Sequence, residues 1–147
     1  MGVKHKYLDD IGANYNWVYG IENSDRDKRF EEQRKIYGFD ERETWDLDGT
    51  FYMWLYERLK MYVEIGGQIV DLNYHKFTFK EKEYTQLELI NMMLERLEYY
   101  FKEDAIDNKK DEYRKQGMNI VEADNKAYEP VIEIGEIWAI LLPSMWW

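Results

Sequence analysis

The sequence predicts a mainly helical protein, a compact bundle of about four or five helices with one short β-hairpin around residues 69–84. Three observations lead there. Thr85 and Glu88 form a capping box that opens a run carrying Leu87, Ile90, Leu94, Leu97 and Phe101 on one face. Phe51, Leu55, Leu59, Tyr62 and Val63 recur at three-to-four spacing behind Asp48, which reads as the cap of a second amphipathic helix ending at Gly66-Gly67. Only from Leu72 to Phe79 does the period fall to two, Leu72, Tyr74, Lys76 and Thr78 alternating with Asn73, His75, Phe77 and Phe79 before the polar turn Lys80-Glu81-Lys82.

The remaining elements follow in chain order. Residues 1–22 scatter Tyr7, Leu8, Ile11, Tyr15, Trp17 and Val18 among glycines without a sustained period, so they read as loop or short extended pieces. Ser24 as cap, Asp27 in the first turn and Gly38 as stop bracket a polar helix over Asp25–Tyr37 that has only Phe30, Ile36 and Tyr37 to bury. Asp40 with Glu43 caps one short turn ending near Trp45. Beyond the charged stretch 104–112, a further segment carries Met118, Val121 and Tyr128 across Gly117, and Pro130 marks a kink or a new start. A last helix, Val131–Leu142, turns Ile134, Ile137, Trp138, Leu141 and Leu142 inward, and Pro143 closes it. With 147 residues and no linker, repeat or low-complexity tract, the expected organisation is one domain over 1–147, irregular over 1–22 and helical over 24–142.

Composition narrows the chemistry. The absence of cysteine excludes disulfides, thiolate nucleophiles and cysteine-ligated zinc or iron–sulfur sites, and suits a reducing cytoplasm. Thirty acids against twenty bases give a net charge of −10, which opposes direct binding of nucleic acid or anionic membrane. From Gln116 onward only Lys126 is basic, whereas Glu122, Asp124, Glu129, Glu133 and Glu136 are acidic. No signal-peptide core or membrane-span run is present, so the expectation is a soluble, intracellular protein.

Trp45-Asp46-Leu47-Asp48 with Thr50, Arg58-Leu59-Lys60, His75-Lys76-Phe77, Lys82-Glu83-Tyr84-Thr85 and the terminal Trp146-Trp147 together resemble a set of small tailed-bacteriophage accessory proteins of unknown function. The resemblance covers residues 38–102 and the extreme C-terminus. It implies a phage or prophage gene expressed in a bacterial cytoplasm, a setting in which such genes often serve takeover or counter-defence, and it brings no catalytic residues with it.

Asp46-Leu47-Asp48-Gly49-Thr50 also spells the signature of the haloacid-dehalogenase phosphatases, in which the resemblance would make Asp46 the nucleophile and Asp48 the acid/base. That chemistry needs a buried parallel strand before the motif, and Asp40 to Trp45 is too polar to be one. His5 and His75 are 70 positions apart, Glu88, Glu95 and Glu98 lack an accompanying histidine, and Ser24 and Ser144 stand outside any nucleophile motif. No catalytic residue, cofactor or metal site is therefore assigned, and the protein is expected not to be an enzyme.

The remaining anomaly is aromatic: six Trp, thirteen Tyr and six Phe exceed what one core ordinarily takes. Trp146 and Trp147 read first as docked on the chain's own core and otherwise as part of a partner surface. Two binding functions follow. In the preferred one, Glu122, Glu129, Glu133 and Glu136, with Trp146 and Trp147, contact a basic host protein and inhibit it. In the alternative, aromatic rings stack on a nucleotide second messenger and sequester it, provided that Arg58, Lys60, Lys76 and Arg96 converge on the anion. Either is compatible with a homo-oligomer.

Overall fold

The computed structural model describes residues 5–20 and 25–146, and among them the chain is mainly helical with a single two-stranded antiparallel hairpin, as the sequence predicts. Contacts divide the chain into two units, Met1–Arg58 and Leu59–Trp147.

In the first unit, α1 (Lys6–Asp10) and α2 (Asn16–Tyr19) occupy a stretch expected to be irregular. Helices this short do not form alone; burial of Leu8 and Val18 supplies what local propensity lacks. Helix α3 (Asp25–Tyr37) follows the predicted bounds, buries Phe30 alone and stops at Gly38, whose φ of +83° is the left-handed conformation of a helix terminator. The Ser24 cap lies outside the described residues. Ile36 and Tyr37 are exposed. Helix α4 (Arg42–Trp45) is the predicted short turn, with Asp40 receiving the Arg42 backbone N–H at 3.0 Å.

Helix α5 (Leu47–Met61) is capped by Asp46 rather than Asp48: the Gly49 N–H donates to Asp46 Oδ1 at 3.2 Å, and Asp48 falls in the first turn, where its charge faces the positive helix end. Met53, Leu55 and Tyr56 are buried, whereas Phe51, expected inside, is exposed and stacks beside Trp54 with 6.1 Å between ring centroids.

The second unit opens with Leu59–Met61 of α5, which widens into a π turn over Tyr62–Gly66 before the chain leaves the helix at Gly67. The strands are shorter than expected. β1 (Lys76–Phe79) and β2 (Lys82–Thr85) pair with Lys76 opposite Thr85 and Phe79 opposite Lys82, while residues 69–75 form turns held by Val70 N–H to Gly66 O at 2.9 Å and Asn73 N–H to Asp71 Oδ1 at 2.9 Å. Lys80 and Glu81 both sit at positive φ, as a two-residue hairpin turn requires.

Helix α6 (Gln86–Phe101) carries the predicted Thr85–Glu88 capping box, and its buried face is Leu89, Ile90, Met93, Leu94 and Leu97. Helix α7 (Ala105–Lys115) ends before Gly117, whose φ of +99° stops any helix through it. The segments expected on either side of Pro130 are one helix, α8 (Ile120–Leu141), opened by a second capping box between Asn119 and Glu122. A proline in a helix interior costs about 3 kcal/mol. Here Ala123, Ala127, Val131, Ile134, Ile137 and Leu141 make one buried face across it, against α6 and α7, and that burial outweighs the cost. Leu142–Ser144 form a closing 3₁₀ turn at Pro143, and Leu142, expected inward, is exposed because the α-helix ends at Leu141. Among the described residues, five of the eight helices run to eleven residues or more, matching the expected count; the others are the short turns. No helix is long and apolar enough to cross a membrane among the described residues.

Candidate functional site

A cleft of about 580 Å³ opens in the second unit where the π turn, the loop before β1, the start of α6 and the C-terminal turn come together. That volume lies in the range of small-ligand sites, roughly 300–1,000 Å³. Its walls are aromatic: Tyr62 from the π turn, Tyr74 and His75 from the loop, Phe77 from β1 and Trp146 from the chain end. Tyr74 and His75 meet edge to face with centroids 5.0 Å apart. Polar groups are few. Gln86, the first residue of α6, is only 5% exposed, and its Nε2 donates to the Tyr62 hydroxyl at 3.1 Å. Asp71, Lys76 and Ser144 complete the lining.

Trp146 is 79% exposed, so it is not docked in a core as first expected; it stands at the cleft. Trp147 lies outside the described residues. Lys76 is the sole member of the expected cationic set that lines the cleft. Arg96 instead holds Glu133 across α6 and α8, through Nε at 3.1 Å and Nη2 at 2.7 Å, and Lys80 of the hairpin turn reaches the other Glu133 oxygen at 3.1 Å. Burial pushes the Glu133 carboxyl up, but the hydrogen bonds from Arg96 and Lys80 outweigh it and hold the group below its ordinary range. Glu133 therefore ties α8 to α6 and the hairpin. Lys60 is half-buried in the second unit, and Arg58, in the first, lies over the Trp54 ring at 4.7 Å.

No family model, curated protein or solved structure matches the chain. What it does must be argued from its own residues.

Glu122, Glu129 and Glu136 are exposed on α8 and recur every seven residues, which places them in one line along the helix. Ile132 lies exposed in the same stripe, and an open groove of about 560 Å³ runs beside Met118, Glu122, Asn125, Lys126, Glu129 and Ile132. Asp46 and Asp48 stand at the start of α5, not at the end of a strand, and the described strands lie only within residues 76–85. A hydrogen bond with Asp48, then burial, raises the Asp46 carboxyl above its ordinary range, while the Gly49 N–H acts the other way. Among the described residues no three His, Asp or Glu side chains are grouped to hold a metal.

The cleft was only partly legible. Tyr62 reads as a core position and nothing in the sequence singles out Gln86, because periodicity reports which face is apolar and not which polar group the fold encloses.

Proposed function

We propose that the chain is a phage-encoded accessory protein of the bacterial cytoplasm that binds and blocks a host factor in counter-defence, without catalysis. The resemblance over residues 38–102 supports the origin. The helix-start placement of Asp46 and Asp48 supports a non-enzymatic role, since a phosphatase nucleophile needs the end of a buried strand. One observation carries the mechanism: the exposed line of Glu122, Glu129 and Glu136 with Ile132 among them. Such a face fits a basic protein surface with an apolar spot, for example a nucleic-acid-binding groove, by charge complementarity. Glu133, committed to Arg96 and Lys80, holds that helix in place rather than meeting the partner.

The test is a variant that reverses the face without unfolding the helix. Glu122 closes the Asn119 capping box, and glutamine preserves a capping box, so the informative combination is Glu122→Gln with Glu129→Lys and Glu136→Lys. Wild-type protein is expected to retain one basic host protein from bacterial lysate at low salt and release it as salt rises; the variant is expected to lose it. Retention unchanged by the variant would overturn the reading.

A further inference from the structure

Gln86 offers a chemistry that the acidic face of α8 does not touch. The residue is only 5% exposed and lines the cleft, and the bond from Nε2 to Tyr62 is its only side-chain hydrogen bond among the described residues. Its oxygen and the second N–H of Nε2 are therefore left to a group that enters the cleft, one acceptor and one donor held side by side. The surrounding groups state what kind. Tyr62, Tyr74, Phe77 and Trp146 offer ring faces, which stack on planar heteroaromatics. A carboxamide is the side chain that pairs with the edge of a base through one donor and one acceptor. Lys76 pairs with Thr85 in the hairpin register, which sets it next to Gln86, and it has no carboxylate partner among the described residues. One positive charge beside an aromatic pocket fits one phosphate. Asp71, on the same rim, opposes a polyphosphate and suits a sugar hydroxyl.

We propose that this cleft binds a nucleoside monophosphate, the base stacked against Trp146 and the tyrosines with its edge on Gln86, and the phosphate on Lys76. The site differs from a convergence of Arg58, Lys60, Lys76 and Arg96: Lys76 alone contributes charge, and recognition is carried by Gln86 and the rings. Binding is non-covalent and independent of α8.

The experiment is calorimetric titration of the full chain with AMP, GMP, CMP and UMP, each beside its nucleoside, and with a short single-stranded RNA. At least one monophosphate is expected to bind below millimolar concentration, its nucleoside about tenfold or more weaker. Lys76→Glu and Trp146→Ala alter exposed side chains, so both are expected to keep the wild-type circular dichroism and melting temperature while each weakens the monophosphate about tenfold or more. Gln86→Glu, which keeps the shape and removes the donor, should change the ranking among the four bases. The Glu122→Gln, Glu129→Lys, Glu136→Lys protein should bind as wild type does, which separates this site from the proposed partner face. Absence of binding by all four monophosphates at millimolar concentration would overturn the proposal. So would nucleosides binding as tightly as their phosphates, RNA binding with the monophosphates silent, or affinities that neither Lys76→Glu nor Trp146→Ala moves.

Discussion

Asp40 is the residue whose chemistry the sequence conceals most. It reads as a helix cap, and it does accept the Arg42 backbone N–H, but its fully buried carboxylate also takes the Arg42 guanidinium at 3.0 and 2.9 Å and Arg34 Nε at 2.5 Å. Arg42 in turn lies 4.4 Å over the Phe30 ring and donates to Gly20 O. Burial alone pushes the Asp40 carboxyl up; the hydrogen bonds from Arg42 and Arg34 outweigh it and leave the group below its ordinary range. A carboxyl lowered on folding contributes stability that is complete above its unfolded pKa, about 3.9, and is lost as pH falls from there through the native value. Asp40→Asn keeps the shape and leaves two guanidiniums without their anion, so it should cost about 3 kcal/mol at neutral pH. It should also flatten the fall of the urea midpoint below about pH 4 relative to wild type. Wild-type stability at pH 7 would refute the cluster's importance. The exposed Arg29–Glu41 pair nearby should matter far less, because solvent screens it.

At the scale of elements, what was legible is what is local. The Thr85–Glu88 box, the bounds of α3 and the hairpin turn all depend on residues within four positions of each other, and all appear as expected. The departures are tertiary. Pro130 predicts a break, but the buried face from Ala123 to Leu141 runs straight through it, and α1 and α2 exist because Leu8 and Val18 are buried. Asn119 and Glu122 signal the start of α8, but Gly117 just ahead of them reads as a weak point within one helix, whereas its φ of +99° makes it a stop. The same helix carries a sharp prediction. Gly135 lies in its interior, exposed, with open space where a Cβ would stand, so Gly135→Ala adds no clash and removes backbone freedom from the unfolded chain. The variant should be about 1 kcal/mol more stable in urea unfolding. Thr85→Ala, which removes the cap of α6, should be about 1 kcal/mol less stable. A destabilised Gly135→Ala protein would mean that the exposed side of α8 is covered.

For the whole molecule, periodicity predicted fold class and composition gave the charge, but neither placed a candidate surface, since each is assembled from residues whose meaning depends on what folding encloses. Trp146 joins Tyr62 and Gln86 from far along the chain, and Glu133 is withdrawn from the acidic set by an arginine 37 positions away. What survives from composition is the net charge of −10, and it carries a consequence for stability. Several ion pairs are exposed, such as Lys6–Asp10 and Lys109–Glu112, and pairs of that kind lose little when screened. The acidic excess acts the other way, because like charges held close in the native state separate on unfolding. Salt shortens the reach of that repulsion from about 30 Å at 0.01 M to about 8 Å at 0.15 M. The melting temperature should therefore rise between those two concentrations of sodium chloride. In the Glu122→Gln, Glu129→Lys, Glu136→Lys protein, which loses three acids and gains two bases along one line of α8, the rise should be smaller. A melting temperature that falls with salt in the wild type would show that attractive pairs, not the acidic excess, set the balance.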